Sequence, residues 1–551
     1  MDEKIKAGLS SAPDTINRDS LVTRIGNVES ADTTQQADVN LEKSSNAVPD
    51  TSSIPYSVFS HRMKVAICVI ATCSGLFSPL AINIYFPSIT QIAQDLNVSV
   101  EKINITVTTF MIMQGIAPSF WGTLADSAGR RPVYVSTLLL FVFANIALAL
   151  QDSYAGLAVL RMIQAAGSSS TIALGAATIA DVIGPSERGS YMGFFSSGVM
   201  VAPAIAPVIG GLLSQTKDSW RASFWFLFGA GGMLLIVLFV WLPETGRQIV
   251  GNGSIKPTGM NRSLIEIFQQ SSRNSETINN DLAPSRRKKL GNPLRCLALI
   301  GQIHIFLILI VNALIYTAFY CVTVGFSSQL KIVYNLDTLK IGLCFLPYGI
   351  GCSVGSIVTG KVLDYEFRRV AKKYGFQDVG AIRSDPEFKI EEARLSIAPP
   401  MIVIVSLLIA GYGWVFRQEI SLAVPLIFLF FIGLFVTGVL TFVQVILVDL
   451  CSDETASVTA SNNLVRCLMG AGGSALIETV IRHIGSGWAY VIVAFMTLLS
   501  APIIFVELKF GQQWRKKRHE KQQARTAEAK LINPEVDQID IERTGDEKDK
   551  Q

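Results

Sequence analysis

The chain has 551 residues, half of them hydrophobic and only 16% charged. A soluble domain carries about 25% charged residues, so this composition excludes both a water-exposed enzyme and a disordered protein. The net charge of +4 is too small and too dispersed to imply a nucleic-acid partner.

Residues 1–60 are rich in Ser, Thr, Asp, Asn and Gln and have no periodic apolar face. Such a segment buries too little to offset chain entropy, so a disordered tail is expected. No signal peptide is expected, because the first long apolar run starts near Met63. Apolar runs then recur near 63–87, 102–124, 132–150, 155–183, 190–214 and 221–243. After a polar stretch at 244–297 they resume at 298–324, 338–363, 397–416, 421–448, 457–483 and 485–508. The runs are continuous rather than alternating, and about twice the length of a membrane strand. Hydrocarbon leaves backbone groups no partner outside their own segment, which selects helices. The expected fold is an all-α membrane protein of twelve transmembrane helices in two six-helix pseudo-repeats. The expected parts are a tail at 1–60, a bundle at 61–243, a central loop at 244–297, a second bundle at 298–508 and a basic tail at 509–551.

Basic residues collect on one side of this plan. They are Arg130-Arg131, Arg286-Arg287-Lys288-Lys289, Arg368-Arg369 with Lys372-Lys373, and Arg515-Lys516-Lys517-Arg518. The positive-inside rule then places both termini in the cytosol. The sequon Asn97-Val98-Ser99 faces outside as a glycosylation candidate, while Asn252 and Asn261 face the cytosol. Eight cysteines lie scattered, mostly in apolar runs, with no CxxC pair, and read as small hydrophobes. No metal or cofactor site is expected.

The halves repeat. Gly122-Thr-Leu-Ala-Asp126 is followed by Arg130-Arg131, and Gly360-Lys-Val-Leu-Asp364 by Arg368-Arg369. A duplicated helical membrane protein of this kind points to a transporter with one site between two bundles. Gly355–Val362 has the glycines and the lysine of a nucleotide loop. It has Val362 where a magnesium-binding hydroxyl belongs, and it sits within an apolar helix, so a nucleotide-driven pump is rejected. No HExxH occurs, and no catalytic residue is expected.

The run GTLADSAGRRP (122–132) resembles the loop signature between spans 2 and 3 of the major facilitator superfamily. LAVLRMIQAAG (157–167) and APAIAPVIGG (202–211) resemble motifs of its drug:proton antiporters. INIYFP (82–87), WLPET (241–245) and NNLVRCLMGAGG (462–473) are similar to the fungal twelve-span branch, which holds quinidine and multidrug exporters and, close by, citrate exporters. Ser127, Ala165 and Ala206 depart from the usual residues of these motifs.

The resemblance implies a proton-coupled antiporter with alternating access, exporting amphiphilic drugs from the plasma membrane. The alternative is export of an endogenous organic acid or secondary metabolite. The implied partners are a small-molecule substrate, protons and the lipid bilayer, with no nucleic acid, and the chain is expected to be a monomer. A latch is implied at Gly122, Asp126, Gly129, Arg130 and Arg131, and by the repeat at Asp364 and Arg368. An antiporter hinge is implied at Pro203, Pro207, Gly210 and Gly211. Ala202, Ala206 and Gly210 form a small-residue stripe and Gly351 and Gly355 a second one, each inviting close helix approach.

A charge inside a span costs about 2.5–3.5 kcal/mol on insertion scales, and such residues usually serve a function. Arg161 is therefore a proton-relay candidate, against the plainer reading of an arginine reaching for headgroups. Arg466 is a second cavity charge. Other handles for a ligand are Asn83, Gln114, Gln164, Asn312, Tyr316, Tyr320, Gln444 and Asn463, against a plain role in interhelical hydrogen bonding. Carboxylates are scarce: Asp181, Glu244 and Asp449 lie at span ends, and Glu478 near the end of span 11 is the acid candidate for the proton. Two arginines with few acids favour an anionic or neutral ligand over a cation.

Overall fold

A computed structural model of the chain describes residues 56–184, 187–216, 220–264, 295–375, 388–451 and 455–532. The expected tail through residue 55, the Arg286–Lys289 cluster and the end of the chain after 532 lie outside them. Every regular element among the described residues is helical.

Helix α1 is His61–Asn83, α2 Val100–Ala128 and α3 Arg130–Leu150. Helix α4 is Tyr154–Ser168, continued after Ser169 as Ser170–Val182; α5 is Arg188–Leu213 and α6 Arg221–Trp241. Helix α7 is Ile303–Tyr334, and α8 is Leu346–Lys373, preceded by the short helix Thr338–Cys344. Helices α9 and α10 are Ala398–Arg417 and Ala423–Leu450. Gly485, at φ 81° and ψ 158°, divides the helical stretch Thr455–Leu498. We call 455–484 α11, and 486–498 with its continuation Ser500–Ile532 α12. Local chemistry sets several starts: the side chains of Ser60, Ser153 and Asp337 accept from the backbone N–H three residues on.

Among the described residues, ten helical stretches are long and apolar enough to cross a membrane. The expected twelve differ at two places. Helices α11 and α12 fall within one 62-residue stretch, Ser457–Arg518. Helix α2 is outside the ten, because Asn104, Thr106, Thr108, Thr109 and Gln114 dilute its apolar content. The boundary of the N-terminal tail also differs from expectation. Tyr56, placed in the tail from sequence, donates its hydroxyl to the carbonyl of Ala180. The basic segment after 509 continues α12 as helix.

Helix α1 packs on α5, α3 on α6 and α2 on α4; in the second half α7 packs on α11, α8 on α10 and α9 on both α10 and the α11–α12 stretch. Two joins cross between the halves, α2 against α11 and α5 against α8 with its preceding short helix. Both are antiparallel. Glu101 meets Arg482 and Thr108 meets Ala471 and Ser474, while Asn463 reaches the carbonyl of Gln114. These contacts lie toward the ends of α2 and α11 remote from the start of α1, here called the far end; the opposite end, where α1 begins, is the near end. Phe86 reinforces the far end, stacking on Phe345 at 6.3 Å and meeting Tyr320 edge-on.

The α5–α8 join needs small residues, as the sequence implied, but on a different face. A side chain at Gly210 would overlap the carbonyl of Ile84, just after α1, so the stripe Ala202–Ala206–Gly210 serves packing within the first half. The residues that approach α8 and the helix before it are Ala204, Pro207 and Gly211, against Gly349, Gly342 and Thr338. Gly351 and Gly355 pack instead on the backbone of Phe430 and Leu434 in α10. A Cβ on Gly349 would run into Ala204. Gly349→Val is thus expected to penalise the closed far end by about 1–3 kcal/mol and to cut transport several-fold in a protein that stays monodisperse. Unchanged transport rates in vesicles would contradict this.

Candidate functional site

At the near end, Arg130 binds Asp126 at 2.7 Å, one helical turn earlier, and Asp181 at the end of α4 at 2.9 Å. The expected partner Asp126 is half exposed and Asp181 is mostly buried, so the better-shielded ion pair joins α3 to α4. Gly129 ends α2 at φ 110°. Only glycine fits there, because a Cβ would strike the Glu244 carboxylate. That carboxylate accepts the backbone N–H of Arg130 (2.8 Å), Arg131 (3.2 Å), Thr245 (3.0 Å) and Gly246 (2.8 Å). It therefore caps the turn between α2 and α3 from the segment after α6. Arg131 points elsewhere, donating to the carbonyls of Met260 and Phe239 at 2.5 and 2.6 Å. Gly122 has open space beside it. Arg247 closes the group, donating to the carbonyls of Asp181 and Tyr56 at 2.9 Å and covering the Tyr56 ring at 3.6 Å.

Burial pushes the Glu244 carboxyl above its ordinary range, and four backbone donors pull it only partly back. The folded chain then keeps a proton that the unfolded chain releases. Stability is expected to fall as pH rises from the ordinary carboxylate range through the raised value. Thermal unfolding against pH, in the wild type and in Glu244→Gln, checks this: the slope in that window should vanish in the variant.

The second-half repeat is not assembled as its spacing implied. Asp364 and Arg368 are exposed, and no ion pair joins them. Their place is taken by Arg394, in the short helix Ile390–Leu395 before α9, which binds Asp449 at the end of α10 at 2.9 Å with both side chains buried. The pair sits where Arg130–Asp181 sits in the first half. Around it, Arg515 binds Glu391 at 3.1 Å, and Lys373 binds Glu392 at 2.6 Å. Sequence spacing missed Arg394 because it lies outside the repeated motif that ends at Arg368-Arg369.

Two arginines occupy the interior of the helices. Arg161 is fully buried. It donates to Gln164 at 2.7 Å and to the carbonyl of Ala81 at 3.0 Å, and its guanidinium lies 4.4 Å from the Tyr85 ring and 4.5 Å from that of Phe110. Gln164 in turn donates to Asn145 at 2.7 Å. The headgroup-seeking reading of Arg161 is thereby overturned, since neither it nor Gln164 reaches a surface.

Arg466 is only partly buried. It donates to Asn463 through Nε (3.2 Å) and Nη2 (2.9 Å) and lies 4.8 Å over the Tyr316 ring. Tyr316 and Tyr320 lie one turn apart on α7, their rings tilted by 56° with centroids 4.8 Å apart. Asn463 reaches α2 by donating to the carbonyl of Gln114, whose amide donates to Ser78. Five expected handles, Gln114, Tyr316, Tyr320, Asn463 and Arg466, are thus brought together. The rest are engaged elsewhere. Asn312 and Gln444 are bridged by Asn462 at 2.5 and 2.7 Å, and Asn83 donates to the Pro79 carbonyl in its own helix. Among the described residues, neither Arg161 nor Arg466 has a carboxylate partner. A guanidinium with free donors beside aromatic rings, in a low-dielectric setting, is suited to hold an anionic group.

Glu478 is 1% exposed, lies 3.9 Å from Arg482, and has one oxygen without a hydrogen-bond partner. Asn97 is exposed at the turn before α2, with φ 51°. All eight cysteines are free, and no metal-type cluster occurs among the described residues.

Residues 71–474 match the family model described as Major Facilitator Superfamily. The MFS-type transporter phiD of Fungal sp. is 38% identical over 486 residues, spanning 87% of this chain and 74% of that one. Citrate exporter 1 of Aspergillus niger is 36% identical over 479 residues, spanning 86% and 90%. The fold also resembles the crystal structure of a D-xylose–proton symporter, with TM-score 0.58 and 14% identity, covering 81% of this chain and 97% of that one. With this match across most of its length, and helices able to cross a bilayer many times, the chain is a membrane transporter of the major facilitator superfamily.

Proposed function

We propose that the protein exports an organic acid, a carboxylate-bearing metabolite, in exchange for protons. The reading places it in the plasma membrane as a monomer with both termini cytosolic. The bundles at 61–243 and 298–508 rock about the Arg466 pocket. The observation that carries it is Arg466 itself. It is a cation with no acid partner among the described residues, held by Asn463 and Tyr316 where a ligand between α2, α7 and α11 would meet it. Unpaired positive charge inside a membrane is costly, and an anionic substrate offsets that cost while bound. The similarity to a citrate exporter supports the same class.

In this reading the near end faces the cytosol and is the open side, since the joins between the halves run along the far end. Arg130–Asp181, Asp126 and Glu244 hold the near-end turn together as the outward-open state forms. Arg161, locked between two rings, positions α4 against α1, and Glu478 carries the proton.

A second reading is export of amphiphilic drugs by proton antiport. It is favoured by the aromatic wall of Tyr316, Phe319, Tyr320 and Tyr348, whose neighbouring rings lie 4.8–6.1 Å apart, a lining suited to bulky apolar ligands. Counterflow in proteoliposomes, with labelled citrate against a labelled hydrophobic drug, separates the two. Citrate movement driven by an imposed proton gradient and abolished by a protonophore supports the first reading. Drug exchange without citrate exchange supports the second, and flux indifferent to the proton gradient removes proton coupling from both.

A further inference from the structure

The far end holds a charged group that spans the two halves. Arg482, near the end of α11, binds Glu101 at the start of α2 through Nε at 2.7 Å. The same Nε lies 3.9 Å from Glu478, one turn earlier on its own helix. The two acids differ in setting. Glu101 is 22% exposed and Arg482 52% exposed, whereas Glu478 is 1% exposed and its Oε2 is buried without a hydrogen-bond partner. The groups facing Glu478 come from four helices. Its own helix supplies Arg482, α2 supplies Glu101, and α12 supplies the Tyr490 phenol. Helix α7 contributes only the neutral Ser328 hydroxyl. The Ser328 hydroxyl faces the Glu478 carboxyl and the Tyr490 hydroxyl faces that of Tyr412. His483 turns away, its Nδ1 2.8 Å from the Thr479 carbonyl.

One guanidinium thus stands between two carboxylates, only one of which belongs to the opposite half. A buried carboxylate is tolerated either protonated or paired with a cation. We propose that Arg482 is a two-position cation and that Glu478 is the proton site controlling it. Protonated Glu478 leaves Arg482 bound to Glu101, which ties α2 to α11 and shuts the far end. Charged Glu478 draws Arg482 back along α11, and the tie breaks. The step balances as one proton, taken from water at the far end onto the Glu478 carboxylate and released after the halves have rocked. The sign is that of exchange: an open, unloaded far end takes up a proton and then closes. The reciprocal also holds, since whatever closes the far end must raise the affinity of Glu478 for its proton by the same factor. This deepens the proton-exchange reading above and rests on it, but it is independent of which substrate Arg466 holds.

The test is a distance measured by electron–electron resonance on the full chain in lipid nanodiscs without substrate. Spin labels go at Gln94→Cys and Gln418→Cys, both exposed at the far end in different halves, with exposed Cys73 changed to Ser. In the wild-type background the distance should lengthen as pH is raised from about 5 to about 9. Glu478→Gln should hold the short distance across that range, and Arg482→Ala the long one. The exchange Glu101→Arg with Arg482→Glu restores a cross-half pair, and should bring back the short distance without the pH response. The proposal is overturned if Glu478→Gln keeps the wild-type response, if Arg482→Ala leaves the short distance, or if the wild-type distance ignores pH. Citrate counterflow that fails while the pH-dependent distance persists would sink the substrate reading alone.

Discussion

Arg466→Gln should lose about one to two orders of magnitude in citrate transport, because a charge-assisted hydrogen bond is worth about 1.5–3 kcal/mol and every 1.4 kcal/mol is about tenfold. Glutamine keeps much of the length and one amide donor group but removes the charge. Asn463 would retain its bond to the Gln114 carbonyl, so the α2–α11 join should survive. Arg466→Lys should recover only part of the loss, since an ammonium cannot reproduce the planar fork that holds Asn463 through Nε and Nη2. The measurement is initial rate against substrate concentration in proteoliposomes. A rise in KM with little change in maximal rate is the expected pattern for a group that binds the ground state. If the drug reading is correct, Arg466→Gln should leave drug flux nearly intact, while a change at Tyr316 or Tyr320 reduces it.

Arg394→Ala should destabilise the folded protein by about 3–5 kcal/mol, the usual result of removing one member of a buried ion pair. Both side chains are nearly shielded, at 6% and 7% exposure, and the guanidinium also covers the Phe367 ring at 4.4 Å. The change removes the buried cation that Asp449 faces at the end of α10. Replacing both partners, as Arg394→Met with Asp449→Leu, should restore most of the loss, because a well-packed apolar pair carries no desolvation penalty. Asp364→Asn and Arg368→Gln should each shift stability by no more than about 0.5 kcal/mol, as surface changes do. Unfolding temperatures in detergent compare the variants directly. Equal effects at Arg368 and Arg394 would mean that the exposed repeat matters as much as the buried pair.

Element positions were readable in advance to within a few residues along most of the chain. Continuous apolar runs are set by hydrocarbon, and the helix starts observed after Ser153 and Asp337 by local backbone chemistry, both of which act within a segment. The family was readable too, because its motifs are contiguous. Arg130 with Asp126 was found for the same reason, being one helical turn apart.

Contacts between distant segments were the part that sequence could not resolve. Asp181 and Glu244 were visible as acids at span ends, but nothing in their spacing tied them to Arg130 or to the turn at Gly129. The repeat at Asp364 and Arg368 looked equivalent to the first, yet the long insertion before α9 brings Arg394 to Asp449 instead. The small-residue stripe in α5 was recognised, but which face meets α8 depends on a helical rotation that composition does not encode. Composition and periodicity, then, were enough to decide that this chain is a bundle of membrane helices built as a repeated transporter. Only the packed structure decided which arginine lies beside Asn463 and Tyr316, which is locked between rings and which stands between two acids, because a charged side chain's partner depends on three-dimensional distance and burial rather than on position along the chain.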